Sequence, residues 1–404
     1  MRSGIALVFV WLVITGFTGI SCAQDMVFKS TVADSIKQNN EALLVEALEK
    51  VTHNDIDAAL KDLEALVNAN PKFRLAQLVY ADLLSARAFP ITDFGNLSYA
   101  PYEDIAALRE EAKSRWKFYH QPQYSGRIPK SLVQLEDKHK YAIIVDLSIP
   151  RLYIFENRGG VPVLVANYYV SIGKNGFGKY EEGDQKTPVG VYFATGFIGP
   201  KQLPDFYGDG AFPINYPNAW DRQNGNTGYG IWLHGTPHNT YSRPPRDSDG
   251  CVIVSNQDLA SIRTHITAGR TAVILAEQIE WIDKAEWKKQ QRHFRRFVEQ
   301  WRRDWESRDP EAYLSHYSTD YYGLGKDYDS WVAYKRRVNS AKKFIKIGMS
   351  ETTMFLYPNG TNILVVTFDQ DYRSNNVKRK FRKRQYWKQE QDGTWRIFFE
   401  DGVS

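Results

Sequence analysis

Cysteine is nearly absent: the 404 residues hold two, Cys22 and Cys251. The first falls in a segment that reads as a removable leader, so the mature chain keeps one thiol and cannot form an intramolecular disulfide. A lone thiol outside the reducing cytoplasm is either buried and inert or in use, which makes Cys251 a candidate nucleophile before any motif is considered. Metal-ligand spacing is missing too. No cluster of His, Cys and acidic residues has it, so neither a metal nor a cofactor is expected. A membrane-spanning run is also lacking, because the apolar stretch from Ile5 to Ile14 is shorter than the ~20 residues a bilayer requires and is followed by Gly16 and Gly19. With Arg2 before it and Ser21-Cys22-Ala23 after it, residues 1–23 read as a secretory signal peptide cleaved before Gln24.

What remains is rich in core-forming residues, with 43% hydrophobic and 14% aromatic side chains in the full sequence. Domains typically take about 100 to 200 residues, so two or three are expected. Charge is uneven: from Lys284 to the end 25 Lys and Arg stand against 16 Asp and Glu, a balance of +9 within a total of +5, which leaves −4 for the rest. A basic C-terminal part favours an anionic partner, and outside the cytoplasm that means carboxylate-bearing wall polymer or anionic lipid rather than nucleic acid.

Periodicity divides the chain into three. Residues 24–135 form a helical region in which Leu43, Leu44, Ala47, Leu48 and Val51 mark one stripe and Ile56, Ala59, Leu60, Leu63 and Val67 a second. After Asn70-Pro71 a third stripe runs through Leu75, Leu78, Val79 and Leu83. The pair around Asn70-Pro71 resembles one tetratricopeptide-like hairpin, and a single copy argues against a solenoid. It suits a scaffold or a homodimer contact. Phe89 to Ser131, rich in Pro, Tyr and charge, reads as a connector. Residues 136–280 are β-rich, with strand patterns at Tyr141 to Asp146, Arg151 to Phe155, Val161 to Ser171, Val189 to Thr195, Gly230 to His234, Cys251 to Val254 and Thr271 to Ala276. One helix interrupts them, from Asn256 to about Thr267. Residues 284–404 open with a basic helix carrying Trp287, Phe294, Phe297, Trp301 and Trp305 on one stripe, a pattern expected of core. Two further helices and four strands follow, and this order resembles the α+β cone of nuclear-transport-factor-like (SnoaL-like) domains. The fold class is therefore multidomain: an α-helical N-terminal segment, a β-rich middle domain and an α+β cone-shaped C-terminal domain.

The chemistry concentrates in Trp232-Leu233-His234-Gly235-Thr236 and in Ser248-Asp249-Gly250-Cys251, whose cysteine lies 17 positions after the histidine. A cysteine attacks as thiolate, and an imidazole within reach both takes its proton and stabilises the charge, so a working site is expected to hold a low-pKa thiol. The Gly235 carbonyl is placed to orient the imidazole. The amides of Gly250 and Cys251 are candidate donors to a tetrahedral oxyanion. His238 is the alternative base.

These segments, with Val145-Asp146-Leu147-Ser148, Arg151-Leu152-Tyr153, Tyr169 to Lys174, Lys186 to Gly190, Asn256 and Asp258, resemble the YkuD-type L,D-transpeptidases over about Tyr141 to Ala276. The resemblance implies a β-rich L,D-transpeptidase catalytic domain in which the cysteine attacks the third residue of a peptidoglycan stem tetrapeptide. Terminal D-alanine leaves, and an amine or water takes the acyl group. Members that carry a nuclear-transport-factor-like domain include L,D-carboxypeptidases, and others act on the link between wall and lipoprotein. The sequence departs from the family pattern twice: Asp249 stands where histidine is usual, and Ile253 where arginine is frequent. A carboxylate beside the thiol raises its pKa. Arg243 and Arg246 are candidates to offset it or to hold a substrate carboxylate, with Ser248 and Asp249 as further binding candidates. A rival reading is a non-catalytic wall-binding scaffold in which Asp249 marks a decayed site. Gly173 to Lys179 imitates a phosphate-binding loop, but Tyr180 replaces the magnesium-holding hydroxyl.

Overall fold

Residues 40–89, 94–95, 101–121, 124 and 126–403 are described in the computed structural model. The expected leader, residues 1–23, lies outside them, and no helix among the described residues is long and apolar enough to cross a membrane. The described residues divide into two compact units, one up to Leu66 and one from Val67 onward. Helix α1 (Asn40–Thr52) buries Leu44, Ala47 and Leu48, and α2 (Ile56–Ala69) buries Ala59, Leu60 and Leu63, as the stripes predict. The third stripe becomes α3 (Arg74–Ala86), with Leu75, Val79 and Leu83 inward.

Helix α4 (Tyr102–Tyr119) occupies the stretch expected to be a connector. Apolar periodicity misses it because its buried residues are Glu111 and Arg115, an ion pair, so its inner face reads as polar. Glu103 and Asp104 in its first turn and Lys117 in its last complement the helix dipole.

Beyond α4 come β1 (Ile128–Pro129), β2 (Leu132–Gln134), β3 (Tyr141–Asp146), β4 (Arg151–Arg158), β5 (Val161–Tyr169), β6 (Ile172–Gly173) and β7 (Gly190–Phe193). They are followed by β8 (Ala211–Pro213), α5 (Ala219–Gln223), β9 (Trp232–His234), β10 (Arg246–Ser248), β11 (Val252–Ile253), α6 (Asn256–Arg263) and β12 (Ala272–Ala276). The main sheet has the order β5-β4-β3-β12-β7, with β12 parallel to β3 and the other neighbours antiparallel. Strand β3 is apolar at successive positions because both faces of this sheet are covered. Ile143 and Val145 enter one core with Leu152, Ile154, Leu233 and Leu259, whereas Ala142 and Ile144 enter another with Phe155, Trp287 and Phe355.

That second core joins the middle sheet to the C-terminal elements. Strand β13 (Trp281–Ile282) pairs with β1 and leads into α7 (Lys284–Ser307), α8 (Pro310–Leu314), β14 (Tyr317–Gly323), β15 (Lys326–Asp327) and α9 (Tyr328–Ser340). Four long strands finish the chain: β16 (Ile345–Leu356), β17 (Ile363–Ser374), β18 (Lys378–Gln389) and β19 (Trp395–Val403). They build a sheet of order β15-β14-β19-β18-β17-β16-β2. Its last member comes from far upstream, so residues read as the end of the helical region extend the C-terminal sheet instead. Helix α7 starts where Asp283 accepts from the amides of Ala285 and Glu286, and it buries Trp287, Phe294, Trp301 and Trp305. The Trp287 indole donates to the Leu132 carbonyl at 2.6 Å, which fastens β2 to the helix.

Candidate active site

Strands β9 and β11 run parallel, with Val252 opposite Leu233 and Ile253 opposite His234. Cys251, one step before β11, therefore falls beside Trp232, on the strand face that also carries His234. Its Sγ donates to the Gly230 carbonyl at 3.5 Å and receives the Trp232 amide. The fold thus brings Cys251 and His234 to adjacent strand ends.

His234 is fully buried, and its Nδ1 pairs with the Gly235 carbonyl at 2.7 Å. A carbonyl only accepts, so Nδ1 carries the proton and Nε2 is left as a bare acceptor. That Nε2 is buried and has no partner among the described residues. Gly235 is required here for space, since a Cβ would lie 2.0 Å from Asn256 Oδ1. Asn256 in turn ties the loops together, accepting from the Asp209 amide at 3.0 Å and donating to the Thr236 carbonyl at 2.8 Å.

The cysteine loop is held by Ser248, whose hydroxyl donates to the Cys251 carbonyl at 2.7 Å and accepts from the Gly250 amide at 3.1 Å. This corrects one expectation. The Gly250 amide is already spent inside the loop, whereas the Cys251 amide donates to no acceptor among the described residues and remains a candidate donor to an oxyanion. Gly250 has φ of 124° and a Cβ there would meet the Lys186 carbonyl oxygen at 2.7 Å, so the position demands glycine.

Electrostatics correct a second expectation. Burial pushes the Cys251 thiol up to about 11, helped by Asp249 and opposed by the Trp232 amide, Arg243 and Lys179. Burial likewise pushes His234 down to about 4, with the Gly235 carbonyl opposing and Arg243 contributing. Both shifts favour the neutral forms, the direction opposite to the low-pKa thiol expected from the motif.

The surrounding groups sort themselves clearly. Asp249 is exposed, and its Oδ1 takes Lys174 Nζ at 3.3 Å and Gln185 Nε2 at 2.9 Å. Arg243, whose charge acts on both Cys251 and His234, bonds Asp247 through Nε at 2.7 Å, while its Nη1 is buried without a partner among the described residues. Arg246 is exposed at the start of β10. His238 lies between Asp205 and Asp209, which take both ring nitrogens, so neither is left to serve as the base. Ile253 is buried and exchanges backbone hydrogen bonds with Ser171 at 2.8 and 2.9 Å. Lys179, the lysine of the apparent phosphate loop, is buried and paired with Asp184 at 2.7 Å. Sequence reading missed Phe206 and Tyr207, whose rings lie 5.9 and 4.9 Å from the imidazole. Their one signal is a pair of adjacent aromatics close to Pro204 and Gly208.

Both β-rich regions match known protein families. The model of the L,D-transpeptidase catalytic domain (YkuD) matches residues 140–275, and that of the Cds6 C-terminal NTF2-like domain matches residues 293–401. The solved structure of Bdellovibrio bacteriovorus Bd1075 is 30% identical over 69% of this chain and 98% of that one, with a TM-score of 0.61. The helical cell shape determining protein Pgp2 from Campylobacter jejuni shares the fold at 24% identity, covering 67% of this chain and 95% of its own, with a TM-score of 0.55. No curated protein matches the sequence. With a relative at this identity spanned almost end to end, and both domains matched, the chain belongs to the YkuD L,D-transpeptidase family, in the form that carries a C-terminal NTF2-like domain.

Proposed function

We propose that the protein is an exported acyl transferase that acts on peptidoglycan stem tetrapeptides through a thioacyl-enzyme on Cys251. The observation that carries the reading is the pairing of β9 with β11, which sets the thiol and an imidazole with a free, buried Nε2 on one face. As Sγ attacks the carbonyl of the third stem residue, its proton passes to His234 Nε2. The oxyanion is met by the Cys251 amide. The C–N bond to terminal D-alanine then breaks, and His234 returns the proton to the departing amine. In the second half an amine or water attacks the thioester, gives its proton to His234 and restores the thiol. Arg243, with buried donor capacity beside the site, takes the carboxylate of the substrate's terminal residue. Residues 1–23 direct the chain to the periplasm, where this substrate lies.

The test is mass spectrometry of purified peptidoglycan fragments incubated with residues 24–404 beside a Cys251→Ala control. Loss of terminal D-alanine alone assigns water as acceptor, and dimeric stems or an exchanged terminal residue assign an amine. Products that do not depend on Cys251 contradict the reading.

A further inference from the structure

We infer that helix α4, which lies outside the matched catalytic domain, is a positioning element for the active-site loop, acting through Glu111 and Arg115 to set Arg243 in place. The inference rests on the proposed role of Arg243 toward the substrate carboxylate. Glu111 and Arg115 are 1% and 3% exposed, and the guanidinium donates to Glu111 Oε1 from Nε at 3.0 Å and from Nη2 at 2.7 Å. The same Oε1 accepts from the hydroxyl of Ser242 in the loop at 2.7 Å. Arg115 also lies over the Tyr169 ring, 3.8 Å from its centroid, and the Tyr169 hydroxyl donates to the Arg243 carbonyl at 3.0 Å. One residue earlier, the Tyr241 amide donates to the Lys72 carbonyl at 3.0 Å. Three consecutive loop residues, 241 to 243, are thus each pinned by a group from outside the loop.

Physical chemistry explains why this is more than packing. Burying an ion pair costs several kcal/mol per ion, and apolar residues of like volume stabilise a helix face at least as well. A charged pair is favoured where a fixed direction matters, and here its third hydrogen bond points to the loop that carries Arg243. Arg243 feels the consequence. Its main chain is fixed by Tyr169 and its Nε by Asp247, so a shift of the loop would move the Nη donors relative to Cys251.

The experiment uses full-length Cys251→Ala protein and titration calorimetry with a stem tetrapeptide and with its C-terminally amidated form, so that no turnover is required. Ser242→Ala and Tyr169→Phe each remove one link without leaving a buried charge. Each is expected to weaken binding of the acid about fivefold, the worth of one hydrogen bond, and to leave the amidated peptide unaffected. Arg243→Ala should abolish the preference for the acid. If Arg243→Ala removes that preference and neither link variant changes it, the positioning role is overturned while the carboxylate reading stands. If Arg243→Ala leaves the preference intact, or the parent binds neither peptide, the carboxylate reading falls and this inference with it. Equal weakening of both peptides by the link variants would mark α4 as structural support only and would also overturn it.

Discussion

The reacting pair is defined by what surrounds it more than by its own residue types. A thiol raised to about 11 beside an imidazole lowered to about 4 gives a wide pH range in which both are neutral. The sign follows directly: His234 loses its proton as pH rises through about 4, so the acid limb of kcat/KM should lie well below the ordinary histidine value. Over pH 7 to 9 iodoacetamide labelling of Cys251 should rise about tenfold per unit, because the thiolate remains a minor species. A plateau of labelling below pH 8 would instead show a preformed ion pair. Ser248→Ala removes both bonds that shape the cysteine loop, and kcat should fall roughly tenfold or more, at about 1 kcal/mol per bond, with KM little changed. The juxtaposition of Cys251 and His234 and the bond from His234 to the Gly235 carbonyl were legible in sequence because they reside in contiguous motifs. The raised pKa of the thiol was not, since burial is a property of the folded surroundings and not of the motif. The spent amide of Gly250 was hidden for a related reason, as it depends on which way a serine hydroxyl points.

At the scale of elements, the strands of the main sheet and the four long C-terminal strands followed from alternation and apolar runs, and α7 from its aromatic stripe, whereas β8, β10, β14 and β15 were not expected. Helix α4 did not, because its inner face is an ion pair. The pairing of β2 with β16 was equally invisible, since a three-residue strand has no period of its own and its partner lies over 200 positions later. Trp287 links these elements, being fully buried between the catalytic sheet and the C-terminal strands while its indole holds β2. Trp287→Ala should cost about 3–5 kcal/mol in denaturant unfolding. Because the core is shared, the loss should appear in a single transition that includes the catalytic domain. Two separated transitions with only the later one shifted would contradict a common core.

Across the whole molecule, Glu136 marks the junction of the catalytic and C-terminal sheets. Its Oε2 meets Arg270 at 3.2 Å and Arg382 at 3.3 Å, yet burial outweighs both and raises the carboxyl to about 7. The folded state then holds this proton more tightly than the unfolded chain. Its contribution is complete below the unfolded value near 4.5 and is lost as pH rises through about 7. Glu136→Gln, which mimics the protonated form, should therefore be more stable than the parent at pH 8 by up to about 3 kcal/mol and equal to it near pH 4.5. Loss of stability at pH 8 would show that the two arginines dominate. The central claim is chemical, however, and intact-protein mass spectrometry tests it most directly. Rapid acid quenching of residues 24–404 mixed with a stem tetrapeptide should trap an adduct on Cys251 with the mass of the tetrapeptide acyl group less terminal D-alanine, absent from Cys251→Ala. A turnover product formed without that adduct, or formed equally by the alanine variant, would contradict the account.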